Sequence, residues 1–342
     1  MHLRARTRLA IASSAAIVAC AMGEIGARWT EQPRVIGTLT FPASNDAYRL
    51  HRPAAGELGY ELVPNVAFGH VRINSLGMRD VERPAAKPAG VFRVLVLGDS
   101  ITLGAGMPLD DTYPKVMERA LDRERPGVEV WNGGVIGYNA RQEAAWFERH
   151  GVELSPDLVV IGFCLNDFGA PERQTLEGDH WRIDFVAPAL VPLALGDGPF
   201  ARALAQHSAL VRRVLETVHD HRASEGRADP VLDRLDQANA SAYREIRDRE
   251  ARAGGRVAIA VLPYLGTAPS DVALAGDRIV SIARDLAVPL VDLRAGPAAT
   301  PIESLRIHPD DPWHPGPDGH RWIGEAIARF LREQHLVPGT AP

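Results

Sequence analysis

From Phe92 onward, short apolar runs alternate with segments whose apolar residues recur at helical spacing. "FRVLVLG", Phe92 to Gly98, reads as a first strand. A helix near Tyr113 to Arg123 follows, with Tyr113, Val116, Met117, Ala120 and Leu121 on one side. "VEVWN" is a second, short strand. Asn139 then reads as an N-cap, with Trp146 and Phe147 on the inner face of a helix that Gly151 should stop. "DLVVIGFCLN" is a third strand, apolar almost throughout, as a strand covered on both faces must be. Asp229-Pro230 opens another helix, with proline at its first position and Leu232, Leu235, Ala238, Ala242 and Ile246 in helical register. Gly254-Gly255 ends it. "RVAIAVLP" and "VPLVDL" are strands four and five. A last helix, His320 to Leu331, places Trp322, Ile323, Ile327, Phe330 and Leu331 on one side. This alternation predicts an α/β fold, a three-layer α/β/α sandwich around a mainly parallel five-stranded sheet.

Two stretches break the rhythm. Residues 30–90 are rich in Pro, Gly and Asn, with strand-like pieces such as "AFGHVRIN", and close on the linker "ERPAAKPAG". They read as an appended region of loops and short strands. Residues 168–228, with a helix around Ala201 to His219, read as an insertion facing the substrate. The main domain is then 91–334, and 335–342 is a tail.

Composition narrows the function. The chain has 342 residues and a formal net charge of -5, and its arginines are interleaved with acids. That excludes the basic stripe of a nucleic-acid binder. The two cysteines, Cys20 and Cys164, cannot build a disulfide framework, and no C-x-x-C pair suggests zinc. Cys164, inside "LVVIGFCLND", reads as a packed core thiol.

Residues 1–29 look like an address. "MHLRARTR" is basic, and "LAIASSAAIVACAM" is apolar but shorter than the roughly 20 residues of a spanning helix. Ala19 and Ala21 offer a small-x-small cleavage site. "IVAC" offers instead a lipoprotein box with Cys20 as the lipidated residue. An uncleaved anchor is the third form. Each form predicts an extracytoplasmic protein, the last two tethered to a membrane through the N-terminus. A buried first helix of the domain is the alternative.

The chemistry begins at "VLGDSITLGAG". A phosphate loop does not fit. Gly104 follows Gly98 at the wrong spacing, no Lys-Ser or Lys-Thr follows, the dinucleotide fingerprint is absent, and Asp99 would repel a phosphate. A nucleophile turn at Ser100 needs a base and a group to orient it. Of the twelve histidines, His314 stands out in "HPDDPWHPGPDGH", three residues after Asp311 and just before the final helix. In a tight turn that spacing lets one carboxylate reach Nδ1 of the imidazole. His308 and His320 are the alternatives. Loops after strands two and three fall on the same sheet edge, which brings glycines of "NGGVIGYN" and Asn166 of "LND" toward Ser100. A glycine N–H and a side-chain amide are suitable oxyanion donors.

"GDSI" at 98–101, the glycine block, "LND" and "DPWH" occur in that order, and together they resemble the four blocks of the SGNH hydrolases, the GDSL-type esterases. The resemblance spans roughly Phe92 to Leu331. "INSLGMRD" at 73–80 and the basic-then-apolar start are similar to membrane-associated bacterial members. It implies a flavodoxin-like hydrolase fold, with Ser100 as nucleophile, His314 as base and Asp311 orienting it. Ser100, Gly137 and Asn166 would form the oxyanion hole, with Gly134 and Gly133 as further candidates. The family's "GGND" is altered here, since Cys164 and Leu165 replace both glycines. Asp99 is left to brace the turn. The implied activity is ester hydrolysis on a small ester or acylated carbohydrate, without metal or organic cofactor. Transfer of the acyl group to a polysaccharide hydroxyl is the nearest rival. A non-catalytic carbohydrate-binding protein is the more distant one.

Overall fold

Strand β1 (Phe92–Gly98) is buried at all seven positions, which only a strand covered on both faces can be. It is an internal strand of the sheet, paired on both sides, in a computed structural model that describes residues 20–26, 35–42, 50–164, 167, 173–177, 180–186, 208, 210–211, 230–268 and 270–339. After β1 come a one-turn helix α1 (Ser100–Leu103), helix α2 (Tyr113–Glu124), strand β2 (Val128–Gly134), helix α3 (Ala140–Trp146) and strand β3 (Leu158–Phe163). Helix α4 (Pro230–Ala253), strand β4 (Arg256–Val261), helix α5 (Ser270–Asp285), strand β5 (Leu290–Asp292) and helix α6 (Pro317–Glu333) complete it.

The sheet order is β5-β4-β3-β1-β2, and every pairing is parallel. The chain leaves β1 for β2 on one side and returns to β3 on the other, so the switch point lies between β1 and β3. Ligands of open parallel sheets bind outside the strand ends at such a point. One face packs Val94, Val96, Val130 and Val160 against Met117 and Leu121 of α2 and Ile323, Ile327 and Leu331 of α6. On α6, Trp322 and Phe330 are only partly buried at its flank. On the opposite face Leu95 meets the turn at Phe147 and Gly151, and α5 packs on β4 and β5.

The described residues divide into two compact units. The larger comprises Thr40–Gly169, Gln174–Arg182 and Asp236–Pro342, so the segment before the sheet is part of the unit that holds it. That segment forms two small hairpins, His51–Pro53 with Tyr60–Leu62 and Ala67–Phe68 with Val71–Arg72. In the other unit, residues 20–26 are helical, and Glu24 accepts hydrogen bonds from Ser208 Oγ and the Leu210 N–H at 2.9 and 3.0 Å. Cys20 is a free, exposed thiol. No helix among the described residues is long and apolar enough to cross a membrane. Most of the region predicted as an address and most of 168–228, including the helix expected around Ala201, lie outside the described residues.

Some expected boundaries moved. Gly151 does not stop its helix: with φ near -67° it continues as a wide turn and a 3-10 turn to Leu154, and Ser155 turns the chain at φ 49°. Glycine is there for space, because a Cβ would stand 2.5 Å from Phe147 and 3.0 Å from Leu95. Strand two runs on to Gly134, since Gly133 and Gly134 still pair with Leu97 and Gly98. Strand three ends at Phe163. The last helix starts at Pro317, at its first turn, and not at His320. Asn139 does cap α3, in a reciprocal box with Gln142.

Candidate active site

Where β1 ends, the chain has no room for side chains. A Cβ on Gly98 would lie 2.1 Å from Thr102 Oγ1 and 3.2 Å from the Gly162 carbonyl, and φ there is 153°. The sharp turn hands over to α1 through Asp99, whose Oδ1 accepts the Ile101 N–H at 2.8 Å. Asp99 therefore braces the turn. Ser100 follows as the first residue of α1, 4% exposed. Its N–H donates to no group among the described residues.

The second half of the site is a loop without regular structure. Backbone bonds close it: Ile307 N–H to the His314 carbonyl at 2.9 Å and Gly316 N–H to the Leu305 carbonyl at 2.7 Å. The Leu265 N–H ties the Pro312 carbonyl to the segment that follows β4 at 2.7 Å. Inside the loop, Asp311 Oδ1 accepts the N–H groups of Trp313 and His314 at 2.9 and 3.0 Å. Its Oδ2 lies 2.8 Å from His314 Nδ1. The ionised carboxylate only accepts, so Nδ1 carries the proton and Nε2 is left as acceptor. Ser100 Oγ donates to that Nε2 at 3.0 Å. Burial alone would push the Asp311 carboxyl up. The His314 hydrogen bond and charge, with the two backbone donors, outweigh it and hold the carboxyl below its ordinary range.

The other histidines are placed elsewhere. His308 is exposed and accepts the Asp310 N–H at 3.3 Å. His320 is buried on α6, where Nδ1 accepts the Tyr113 N–H at 3.1 Å and the ring stacks on Tyr113. Burial, then the charges of His314 and Arg79, pull its pKa down to about 3, so it stays neutral.

Of the glycine candidates, Gly133 is inside the ladder and Gly134 gives its N–H to Asn132 Oδ1 at 3.0 Å. Gly137 lies beyond the strand with φ 73°, a conformation that favours glycine, and its N–H has no partner among the described residues. Asn166 lies outside the described residues. Its neighbours are bracketed: Asp167 Oδ2 accepts the Cys164 N–H at 3.0 Å and the Asp167 N–H reaches the Cys164 carbonyl at 3.1 Å. Cys164 is half-buried and not packed within a strand, because β3 has ended at Phe163. It helps line a cavity of about 150 Å³ with Phe163, Leu262, Tyr264 and Trp313, the residue before the His314 base candidate. Among the described residues no cluster of three or more His, Cys, Asp or Glu side chains has metal-ligand geometry.

One buried group was missed. Among the described residues Glu143 has no hydrogen-bond partner for either oxygen, and Asp167 pairs only one of its own, with Cys164 and Tyr243. Burial, then the Asp167 and Asp99 charges, holds Glu143 well above the usual carboxylate range. The signal was its spacing, since Ala140, Glu143 and Ala144 of α3 and Phe147 just after it share one inward face.

The model of the GDSL-like lipase/acylhydrolase family matches residues 96–322. An arylesterase of Vibrio mimicus is 33% identical over 75 residues, 22% of this chain and 38% of that protein. This chain therefore matches well under two thirds of that relative's length. Among solved structures, a lipolytic protein of the G-D-S-L family from Desulfitobacterium hafniense is 15% identical, over 70% of this chain and 99% of that one, with a TM-score of 0.43. A catalytic mutant of an acetylxylan esterase from Geobacillus stearothermophilus is 18% identical over 75% and 100%, with a TM-score of 0.44. With the match running from inside β1 to inside α6, over more than half of its length, the chain belongs to the GDSL-like lipase/acylhydrolase family.

Proposed function

We propose that the protein is a serine-dependent carboxylic ester hydrolase, acting on acyl or acetyl esters. The observation that carries the reading is the unbroken path from Ser100 Oγ through His314 to Asp311, with links of 3.0 and 2.8 Å. Ser100 Oγ attacks the ester carbonyl while its proton passes to His314 Nε2. Asp311 stabilises the resulting imidazolium. The negative oxygen of the tetrahedral intermediate is received by the N–H groups of Ser100 and Gly137 and the amide of Asn166. His314 then protonates the leaving alcohol. Water, deprotonated by His314, attacks the acyl-enzyme, and the acid leaves as Ser100 recovers its proton. Each oxyanion donor is worth about 3 kcal/mol, on the order of a hundredfold in rate.

The apolar cavity beside Trp313 is suited to the substrate's apolar part. The basic-then-apolar start supports an extracytoplasmic setting. The test is a panel of esters of varied acyl length run beside an acetylated polysaccharide, with S100A as control. Turnover and labelling by a serine-directed phosphonate should both vanish in S100A. Turnover surviving in S100A would sink the assignment. Product analysis with a carbohydrate acceptor separates hydrolysis from acyl transfer.

A further inference from the structure

The family match begins at residue 96, yet two side chains from before it bind backbone carbonyls near Gly137 and just after Ser100. Tyr60, on the first small hairpin, donates its hydroxyl to the Ile136 carbonyl at 2.6 Å. That carbonyl belongs to the peptide whose N–H is Gly137's. In a trans peptide the two bonds point in opposite directions, so fixing the C=O fixes the aim of the N–H. A donor on the carbonyl also polarises the peptide and strengthens its N–H. Tyr60 is itself held, because the Tyr138 hydroxyl donates to the Tyr60 carbonyl and the two rings meet edge to face at 5.3 Å.

Arg79, in "INSLGMRD", is 1% exposed. Its guanidinium donates to the carbonyls of Leu103 (2.8 Å), Gly104 and Met107. The last carbonyls of a helix lack partners within it, and α1 is a single turn whose end is buried. Arg79 supplies those partners, while Asn132 Nδ2 takes the Thr102 carbonyl at 2.9 Å. The neighbouring Asp80 is tied elsewhere, to Lys115 at 2.6 Å and the Asn132 N–H at 2.8 Å. Among the described residues no carboxylate competes with the carbonyls for Arg79, and a fork of planar donors fits three carbonyls where an ammonium would not.

We propose that the segment carrying Tyr60 and Arg79 is a positioning element of the catalytic unit: Tyr60 aims the Gly137 N–H at the oxyanion, and Arg79 holds the loop that fixes Ser100. This rests on the hydrolase reading above. The experiment compares Y60F, which keeps the ring, and R79K, which keeps the charge, with wild type and with R83Q in the full chain. Arg83 belongs to the same segment but binds Glu118, away from Ser100. Y60F should lower kcat about 3- to 10-fold, and R79K about 10- to 100-fold. KM should stay within about twofold, and phosphonate labelling should slow by the same factors, since chemistry and not substrate binding is impaired. R83Q should lower Tm and leave kcat within about twofold of wild type. Wild-type kcat and labelling in either folded variant would overturn the assignment for that residue. Losses confined to KM, or unfolding of both variants, would overturn the proposal, because the segment would then serve binding or the fold. Labelling of the wild type that depends on Ser100 is the separate readout for the hydrolase reading.

Discussion

Ser100 and His314 stand 3.0 Å apart, yet the backbones that deliver them are built differently. Ser100 leaves a strand paired on both sides and enters a helix capped at one end by Asp99 and at the other by side chains. Its position is fixed by regular structure and by apolar burial. His314 sits in a loop with no ladder and little core of its own, from Arg306 to Gly316. Its shape comes from individual polar contacts: Asp311 on two N–H groups, Leu265 on the Pro312 carbonyl, and Arg306 on the carbonyls of Leu265 and Pro309. Burial is spread over many atoms and tolerates loss. A loop held by a few hydrogen bonds loses its geometry with one of them. Truncations in the apolar strand behind Ser100 should therefore act on stability, and loss of the polar contacts around His314 on rate.

The sharpest probe removes the reacting atom. S100A should lower kcat/KM by about 10⁴-fold or more, with Tm unchanged, because the hydroxyl's only partner among the described residues is His314. D311N comes next. Its amide would present a donor to Nδ1 and favour the wrong tautomer, so kcat should fall about 10²- to 10⁴-fold. Steady-state kinetics beside a melting curve checks both. A D311N enzyme near wild-type rate would show that His314 needs no orienting carboxylate.

A matched pair then tests the comparison itself. V96A deletes two methyl groups from a fully buried position in β1 and should cost about 1–3 kcal/mol in urea unfolding while kcat holds. R306Q frees the carbonyls of Leu265 and Pro309 at a partly exposed position. It should leave stability within about 1 kcal/mol and lower kcat about tenfold. The reverse outcome, a fragile R306Q with full activity, would mean the loop is folded by its surroundings and not by its own contacts.

The same contrast governs what could be read from the sequence. Apolar runs such as "RVLVLG" and "LVVIGF" announced buried parallel strands because burial leaves a local signature. Asn139 announced its helix because a cap acts within three residues. Asp311 and His314 were legible for the same reason, being close in sequence. The segment before Phe92 was not. Arg79 and Asp80 look like solvated charges in a turn, but their partners lie 24 to 52 residues away and only the folded chain brings them together. Gly151 misleads because a glycine reads as a stop where the position needs space.

The smallest expected effect on rate concerns a second contact that joins the two halves. His320, on the helix after the histidine loop, accepts the Tyr113 N–H at the start of α2 on the nucleophile side. Its pKa falls from 6.5 in the unfolded chain to about 3 in the fold, chiefly through burial. Between those values the unfolded chain binds a proton that the native protein does not. Stability therefore rises with pH across that window and is lost on acidification, with a slope of up to about 1.4 kcal/mol per pH unit. H320Q keeps an acceptor for the Tyr113 N–H and removes the titration. Urea unfolding from pH 4 to pH 7 should show a shallower slope for H320Q than for wild type, with kcat at pH 7 changed by less than about threefold, since the contact carries fold and not proton transfer. Equal slopes would mean that the native protein opens at α6 before His320 is exposed to its unfolded pKa, and the two halves would then be less firmly joined than the Tyr113–His320 hydrogen bond implies.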